Sequence, residues 1–256
     1  MREAAPVAAK LVAKQTICLD DNAVQKEIRD LVRPDQHLRV ISFVNVNTII
    51  KAREDARFFD AIMLSHRVYR DGIGVEILMR KAGREPGLNV NGTDFIPRLI
   101  AATPRERKLA LLGTTAGRVA ATSRRLEQAG FGEIVQCDGF KDEDHYVRLL
   151  AEERPSLVIL GMGMPKQELL AERLLQDPAF TRTGMVVVNG GAIIDFMSGE
   201  IQRAPGWMRR AKVEWAYRLA REPKRLLPRF IDNTRFLLAS KRLGRDVKTH
   251  LDGNRD

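Results

Sequence analysis

Four times along this chain a short apolar run is followed by a segment whose apolar residues recur at helical spacing, and that alternation leaves few folds open. The clearest run is 37–45 (HLRVISFVN), followed by a helical pattern over 48–61. Residues 108–112 form the next strand pattern, with a glycine-flanked turn over 113–117 and a helix over 118–129 closed by Gly130. Residues 133–137 come before a helix over 142–153 that stops ahead of Pro155. Residues 156–160 open into Gly161-Met-Gly-Met-Pro165 and a helix starting near Lys166, and a last strand over 184–188 ends at Asn189-Gly-Gly191. Wholly apolar strands alternating with helices of about 10–15 residues predict a mainly parallel, Rossmann-like α/β sheet covered by helices on both faces.

Open sheets of this kind bind ligands in the crevice outside the carboxyl ends of their strands. The glycine turns after Leu112, Leu160 and Val188 then share one rim, which makes Gly113, Gly161, Gly163, Gly190 and Gly191 candidate ligand residues. Backbone N–H groups at helix starts can receive a diphosphate there; taken singly, each glycine also suits a tight turn with no ligand. Gly161-Met-Gly163-Met-Pro-Lys166 has lysine where a dinucleotide fingerprint needs its third glycine, and no segment supplies the Gly-x-x-x-x-Gly-Lys-Ser/Thr loop of ATPases. NAD-dependent oxidoreduction and kinase-like phosphoryl transfer lose their support. His37, His66, His145 and His250 lack the close spacing and cysteine partners of a zinc site. Asp142-Glu-Asp144 has the form many nucleotide-sugar transferases use to hold a divalent ion. It opens a helix, however, where the macrodipole favours carboxylates, so a helix start is expected and no metal site is assigned.

Arg70-Asp-Gly-Ile-Gly74 puts Asp71 in a glycine-bounded turn before a helical stretch over 75–81. Asp71 either caps that helix or faces the ligand rim, where a carboxylate can accept a proton from an attacking hydroxyl. Asn91-Gly-Thr-Asp94 supplies a turn and polar groups able to hydrogen-bond a sugar or ribose, with helix capping the safer reading of Asp94.

The formal charge of +10 is unevenly spread: residues 203–256 hold 15 Lys and Arg against 6 Asp and Glu, and residues 1–202 are near neutral. In 256 residues this predicts an α/β catalytic body over 1–202 and a basic helical appendage over 203–256. A cationic appendage implies an anionic partner. Its cations are interleaved with Trp207, Trp215, Tyr217, Leu226, Leu227, Phe230, Phe236 and Leu237, as in amphipathic helices that rest in a membrane interface. Each basic group near an anionic leaflet contributes roughly 1 kcal/mol. Stacking and backbone neutralisation of single-stranded nucleic acid would use similar ingredients. No RNA-binding or zinc-finger motif accompanies them, so an anionic membrane surface ranks first and a nucleic-acid-binding protein is the alternative. No apolar run approaches the ~20 residues of a membrane-spanning helix. Residues 4–13 read as a loose lead-in to the first strand, and Cys18 and Cys137, far apart, exclude a disulfide scaffold. A cytoplasmic setting is expected.

Several segments, in order, resemble the WecG/TagA/CpsF glycosyltransferases, family 26. They are Asn45 after its strand, Asp71-Gly-Ile-Gly74, Gly92-Thr-Asp-Phe95, Leu112-Gly113, Gly161-Met-Gly-Met-Pro-Lys-Gln-Glu168, Asn189-Gly-Gly191 with Asp195-Phe196 and Gly199, Arg203-Ala-Pro205-x-Trp207, and Glu214-Trp-Ala-Tyr-Arg218 followed by Glu222-Pro-Lys-Arg225. The likeness runs from about Ile17 to Arg229. Members of that family transfer a sugar from a UDP-sugar to a polyprenyl-diphosphate-linked saccharide at the cytoplasmic membrane face, inverting the anomeric centre. For this chain the resemblance implies an inverting transferase of a hexose or N-acetylhexosamine-type sugar in bacterial surface polysaccharide synthesis, peripherally bound at the inner membrane face. It makes Asp71 the general base and Gln167 a polar active-site residue. It places Arg218, Arg225 and Arg229 near the diphosphate, and Asn45, Asn91, Thr93, Asp94, Gly161, Gly163, Pro165 and Lys166 are the further candidate substrate residues. Guanidinium groups hold phosphate bidentately and stay charged, which suits a clamp for departing UDP. Beyond the two substrates no cofactor is expected, Asp142 and Asp144 leave dependence on a divalent metal open, nucleic acid is not an expected partner, and a monomer or small homo-oligomer is expected. Phe43 stands where many members carry threonine, two residues before the strand-end asparagine; the lost hydroxyl bears on sugar identity rather than on reaction type.

Overall fold

A computed structural model describes residues 3–201, the single positions 205, 208, 216, 217 and 219, and residues 223–253, of which the side chains at 223–226, 228–230 and 237 lie outside the description. The apolar runs become parallel strands: β1 (Arg39–Val44), β2 (Arg67–Arg70), β3 (Leu109–Gly113), β4 (Ile134–Cys137), β5 (Leu157–Gly161) and β6 (Val186–Asn189), in the order β2-β1-β6-β5-β3-β4. Successive side chains point to opposite faces of the sheet. On one face Ile41, Leu111, Ile159 and Val188 pack against α2 (Asp21–Val32), α6 (Gly92–Ala102), α7 (Ala116–Gln128) and α10 (Ile193–Ser198). On the other, Val40, Ala110, Leu112, Val158, Leu160 and Val187 pack against α8 (Glu143–Glu153) and α9 (Lys166–Gln176). Toward the β2 edge, Val44 and Val68 join a further cluster with α1 (Ala4–Ala13), α3 (Val46–Glu54), α4 (Ala56–Leu64), α5 (Ile73–Lys81) and α11 (Pro223–Gly253).

The register aligns the strand ends. Val44 pairs with Arg70, Gly113 with Gly161 and Leu160 with Asn189, so Asn45, Asp71, Thr114 and Met162 leave the sheet along one rim. β3 runs on to β4 at the outer edge and β5 runs on to β6 in the opposite direction, which makes their adjacent carboxyl ends a topological switch point.

Several expectations change. The pattern over 48–61 is two helices: Asp55 ends α3, and its carboxylate caps α4 by accepting from the Phe58 N–H at 3.0 Å. Residues 4–13 are a packed helix rather than a loose lead-in; α1 buries Val7, Ala8, Ala9, Leu11 and Val12, and Lys10, which interrupts the apolar run, lies on its solvent side. β2 and α2 escape the apolar pattern because β2 begins and ends with arginine. Tyr69 of β2 is fully buried and donates its hydroxyl hydrogen to Glu27 of α2 at 2.8 Å. Phe236, expected among membrane-facing aromatics, is 7% exposed; with Leu243 and Val247 it belongs to the α1–α5 cluster, whose apolar floor would otherwise be open. Trp207, Trp215 and Arg218 lie outside the described residues, as do the side chains of Arg225, Leu226, Arg229, Phe230 and Leu237. Among the described residues no helix is long and apolar enough to cross a membrane.

Candidate active site

A cleft of about 660 Å³ opens over the rim, within the roughly 300–1,000 Å³ of small-molecule sites. Its wall brings together Asn45, Asp71, Thr93, Gly161, Gly163, Gln167, Gly190 and Gly191, and from the C-terminal region Leu219 and Asn233 reach it.

Asp71 continues β2 by one residue, its N–H donating to the Val44 carbonyl at 2.9 Å. Arg70, 3% exposed, fixes the backbone around it. The guanidinium donates to the carbonyls of Pro86 at 3.2 Å, Gly87 at 2.9 Å and Gly72 at 3.1 Å, and pairs with Glu76 at 3.3 Å. Burial lowers the Arg70 pKa, and the neighbouring Glu76 and Asp71 carboxylates pull it back up. Gly72, at φ 92°, is the N-cap residue of α5 and supplies no side-chain cap; its N–H goes to Asn89 Oδ1 at 2.7 Å. Asp71 is therefore not the cap of α5. It stands half-buried on the cleft wall.

Across the cleft, two glycine loops follow β5 and β6. Gln167, 3% exposed on the first turn of α9, bridges them: its Oε1 accepts from the N–H of Gly163 at 3.2 Å and of Gly191 at 3.0 Å. The Gly190 N–H donates to the Leu160 carbonyl at 2.8 Å. The backbone donors expected to receive a diphosphate are thus already paired at these three glycines. Gly113 is not on the cleft wall; it lets β3 close on β5, because a Cβ there would stand 2.3 Å from the Gly161 carbonyl carbon.

Beside it the sequence reading missed a polar group. Thr114 sits at φ 44°, donates its N–H to the Gly161 carbonyl at 3.1 Å and accepts from the Gly139 N–H at 2.9 Å. Its hydroxyl bonds to the Asp195 carboxylate, which also pairs with Arg118 at 3.0 Å, and Arg118 pairs in turn with Glu200 at 2.8 Å. Thr114, Arg118 and Asp195 all line the cleft. The signal available was position: Thr114 and Arg118 flank the start of the helix after β3, and Asp195 follows the Asn189-Gly-Gly191 turn.

The remaining expected residues serve structure in the first instance. Asn45 caps α3, with Oδ1 accepting from the Thr48 N–H at 3.1 Å, which leaves its amide donor for the cleft. Asn91, rather than Asp94, caps α6: its Oδ1 accepts from the Asp94 N–H at 2.9 Å, and its Nδ2 donates to the Asp94 carboxylate at 2.8 Å. Pro165 precedes α9, and Lys166 Nζ donates to the carbonyls of Gly139 at 2.9 Å and Lys141 at 2.6 Å, holding the β4–α8 loop. Phe43 forms a wall with Tyr69 and Phe95, at ring separations of 6.0 and 6.1 Å, and closes against Gly92. Asp142 caps α8 by accepting from the His145 N–H at 2.7 Å, while Asp144 pairs with Arg173. Among the described residues no group of three His, Cys, Asp or Glu could hold a metal ion. Asp142→Ala should cost about 1 kcal/mol in urea unfolding, the usual value of a lost cap, with turnover unchanged; a loss of turnover would make Asp142-Glu-Asp144 an ion site after all.

A family model for the glycosyl transferase WecG/TagA/CpsF family matches residues 11–248. Among curated proteins, an N-acetylglucosaminyldiphosphoundecaprenol N-acetyl-beta-D-mannosaminyltransferase of Bacillus subtilis is 27% identical over 195 residues, 73% of each chain. A protein of the same description from Bacillus spizizenii is 26% identical over 179 residues, 68% of each chain. The matched span takes in the sheet, the cleft at its rim and most of α11, so the likeness covers the whole site-bearing architecture, and the chain belongs to the WecG/TagA/CpsF family of glycosyltransferases.

Proposed function

We propose that this glycosyltransferase moves an N-acetylhexosamine-type sugar from a UDP-sugar to a saccharide carried on a polyprenyl diphosphate, inverting the anomeric carbon, in bacterial surface polysaccharide synthesis. The observation that carries this reading is the position of Asp71, next to the backbone that Arg70 holds and on the wall of the cleft that the glycine loops also line. The acceptor hydroxyl attacks the anomeric carbon, Asp71 takes its proton, and the bond from sugar to UDP breaks with the electron pair leaving on the diphosphate. The reading is supported by the relatives, whose descriptions name a lipid-diphosphate acceptor and an acetamido-sugar transfer.

The departing diphosphate needs positive charge. Arg118 is the one Lys or Arg among the described cleft residues, and two carboxylates already hold it. With three of the loop N–H groups also paired, the clamp is assigned to Arg218, Arg225 and Arg229. Positions 225 and 229 on α11 precede the cleft residue Asn233 by eight and four residues, the repeat of one helical stripe. Leu227, Ile231 and Leu238 are exposed on the same helix at 49, 44 and 81%, and Arg235, Lys241, Arg242 and Arg245 are exposed near them. That surface suits an anionic leaflet, apolar side chains down and cations toward phosphates, at the inner face of the cell membrane. One chain is enough for the cleft, so a monomer suffices.

A thermal-shift panel of nucleotide-sugars tests the donor, with UDP-sugars expected to raise the melting temperature above all others. Release of UDP should then require a polyprenyl-diphosphate-linked saccharide. Tight, salt-sensitive binding of DNA or RNA with no response to any UDP compound would overturn the reading.

A further inference from the structure

Glu168 has no task in the transfer chemistry above, yet at 5% exposed it is the most deeply buried carboxylate on the cleft wall among the described residues. Its Oε1 accepts from Gln167 Nε2 at 2.8 Å, and its Oε2 is buried with no hydrogen-bond partner among the described residues. The other end of the Gln167 carboxamide accepts from the Gly163 N–H at 3.2 Å and the Gly191 N–H at 3.0 Å. A carboxamide has one accepting end and one donating end. Were Gln167 to turn over, its NH₂ group would face two N–H donors, and both half-buried glycine amides would lose this partner. The glycine donors and the acceptor offered to the opposite end therefore select the same orientation, and Glu168 offers that acceptor.

We propose that Glu168 is a positioning residue of this site: by accepting from the Gln167 carboxamide it keeps that oxygen on Gly163 and Gly191, and so fixes the separation of the two glycine loops beside the bound donor. The effect on turnover rests on the transfer reading above; the effect on the loops does not.

A carboxyl group differs from a glutamine at this position by its proton. Burial pushes the Glu168 carboxyl up to about 7, with the hydrogen bond from Gln167 opposing the rise. The charged groups on α4, which packs against α9, are Arg57, paired with Glu172 at 3.1 Å, and Asp60; β6 presents none, and across the cleft stand Asp71, Arg118 and Asp195. Since the carboxyl ordinarily titrates lower, the neutral form is favoured in the fold. The stability it contributes is present at acid pH and is lost as pH rises through about 7. Ionisation strengthens the acceptor facing Gln167, so the staple tightens over the same interval.

The test uses the full-length chain and the variants Glu168→Leu, Glu168→Gln, Gln167→Leu and the double leucine variant. Amide hydrogen exchange at Gly163 and Gly191 is read by NMR, and kcat and KM by UDP release. Loss of the acceptor in Glu168→Leu should speed exchange at both glycines about tenfold and lower kcat by a similar factor, with a smaller change in KM. Glu168→Gln, which keeps a carbonyl acceptor, should restore both to within about threefold and abolish the inflection near pH 7 in glycine protection. The double variant should be no worse than Gln167→Leu alone, because Glu168 acts through Gln167. Unchanged glycine exchange in Glu168→Leu, or penalties that add in the double variant, overturns the proposal. Should Glu168→Leu not fold, an inflection that persists in Glu168→Gln overturns it instead. A wild-type chain that transfers no sugar overturns the functional reading and leaves the exchange measurements to decide this one.

Discussion

Asp71→Asn should lower turnover by roughly 10²–10⁴-fold, the usual scale for a lost general base, while UDP affinity and unfolding midpoint stay near wild type. The substitution keeps the side chain's shape and leaves untouched what positions it: the bond from the Asp71 N–H to Val44 and the Arg70 guanidinium tied to Pro86, Gly87 and Gly72. What disappears is the carboxylate's capacity to take a proton, which the proposed mechanism draws from the acceptor hydroxyl. UDP binding is predicted to persist because the glycine loops, Thr114 and Asp195 lie on the opposite side of the cleft from β2. Steady-state release of UDP in the presence of the lipid acceptor, together with a calorimetric UDP titration, separates the two effects. Turnover within a few fold of wild type would remove Asp71 from the base role, and joint loss of turnover and UDP affinity would make it a binding residue.

Asp71 could be found in the sequence because a carboxylate between arginine and two glycines is unusual at the start of a helix. Its support could not. Arg70 looks like surface charge until the chain folds, since the carbonyls that satisfy it come from residues 86 and 87, beyond α5, and no local pattern brings them there. The strands β1, β3, β5 and β6 were legible for a simpler reason: each is buried on both faces, so each reads as an apolar run. β2 lies at the sheet edge, where Arg67 can turn to Glu27 at 2.8 Å, and its composition carries no such run. The split at Asp55 was hidden because α3 and α4 each present apolar residues to one cluster, and the periodicity carries across the break.

The site residues divide along the same line. Glycines at strand ends announced the rim, but their partners did not follow from spacing. Lys166, expected among the substrate residues, donates to two carbonyls of the β4–α8 loop, 27 and 25 residues away in the chain. Thr114 and Asp195 are 81 residues apart and meet only because β3 and β6 flank β5. The cationic C-terminal segment was legible as charge, whereas the division of α11 into a buried Phe236–Leu243–Val247 face and an exposed Leu227–Ile231–Leu238 face required α1 and α5 to be in place.

Gly113→Ala should be the most damaging single methyl in the sheet. The register sets Gly113 beside Gly161, and a Cβ at Gly113 would lie 2.3 Å from the Gly161 carbonyl carbon, 2.5 Å from its oxygen and 2.6 Å from its Cα. All three are backbone atoms, so no rotamer change relieves the clash, and φ at Gly113 is 148°, where L side chains are strained. Overpacking and backbone strain together predict a loss of about 3–5 kcal/mol. The β3–β5 separation also sets the Thr114 N–H to Gly161 bond at 3.1 Å, so any folded fraction should bind UDP poorly. Gly117→Ala is the matched control: it adds the same methyl within α7, where nothing lies within 4 Å, and should stabilise by about 0.5–1 kcal/mol through helix propensity. Urea unfolding of the two variants, with UDP titration of each, decides the matter. A Gly113→Ala midpoint close to that of Gly117→Ala would mean that β3 and β5 do not meet backbone to backbone at the rim, and the cleft built on that contact would have to be redrawn.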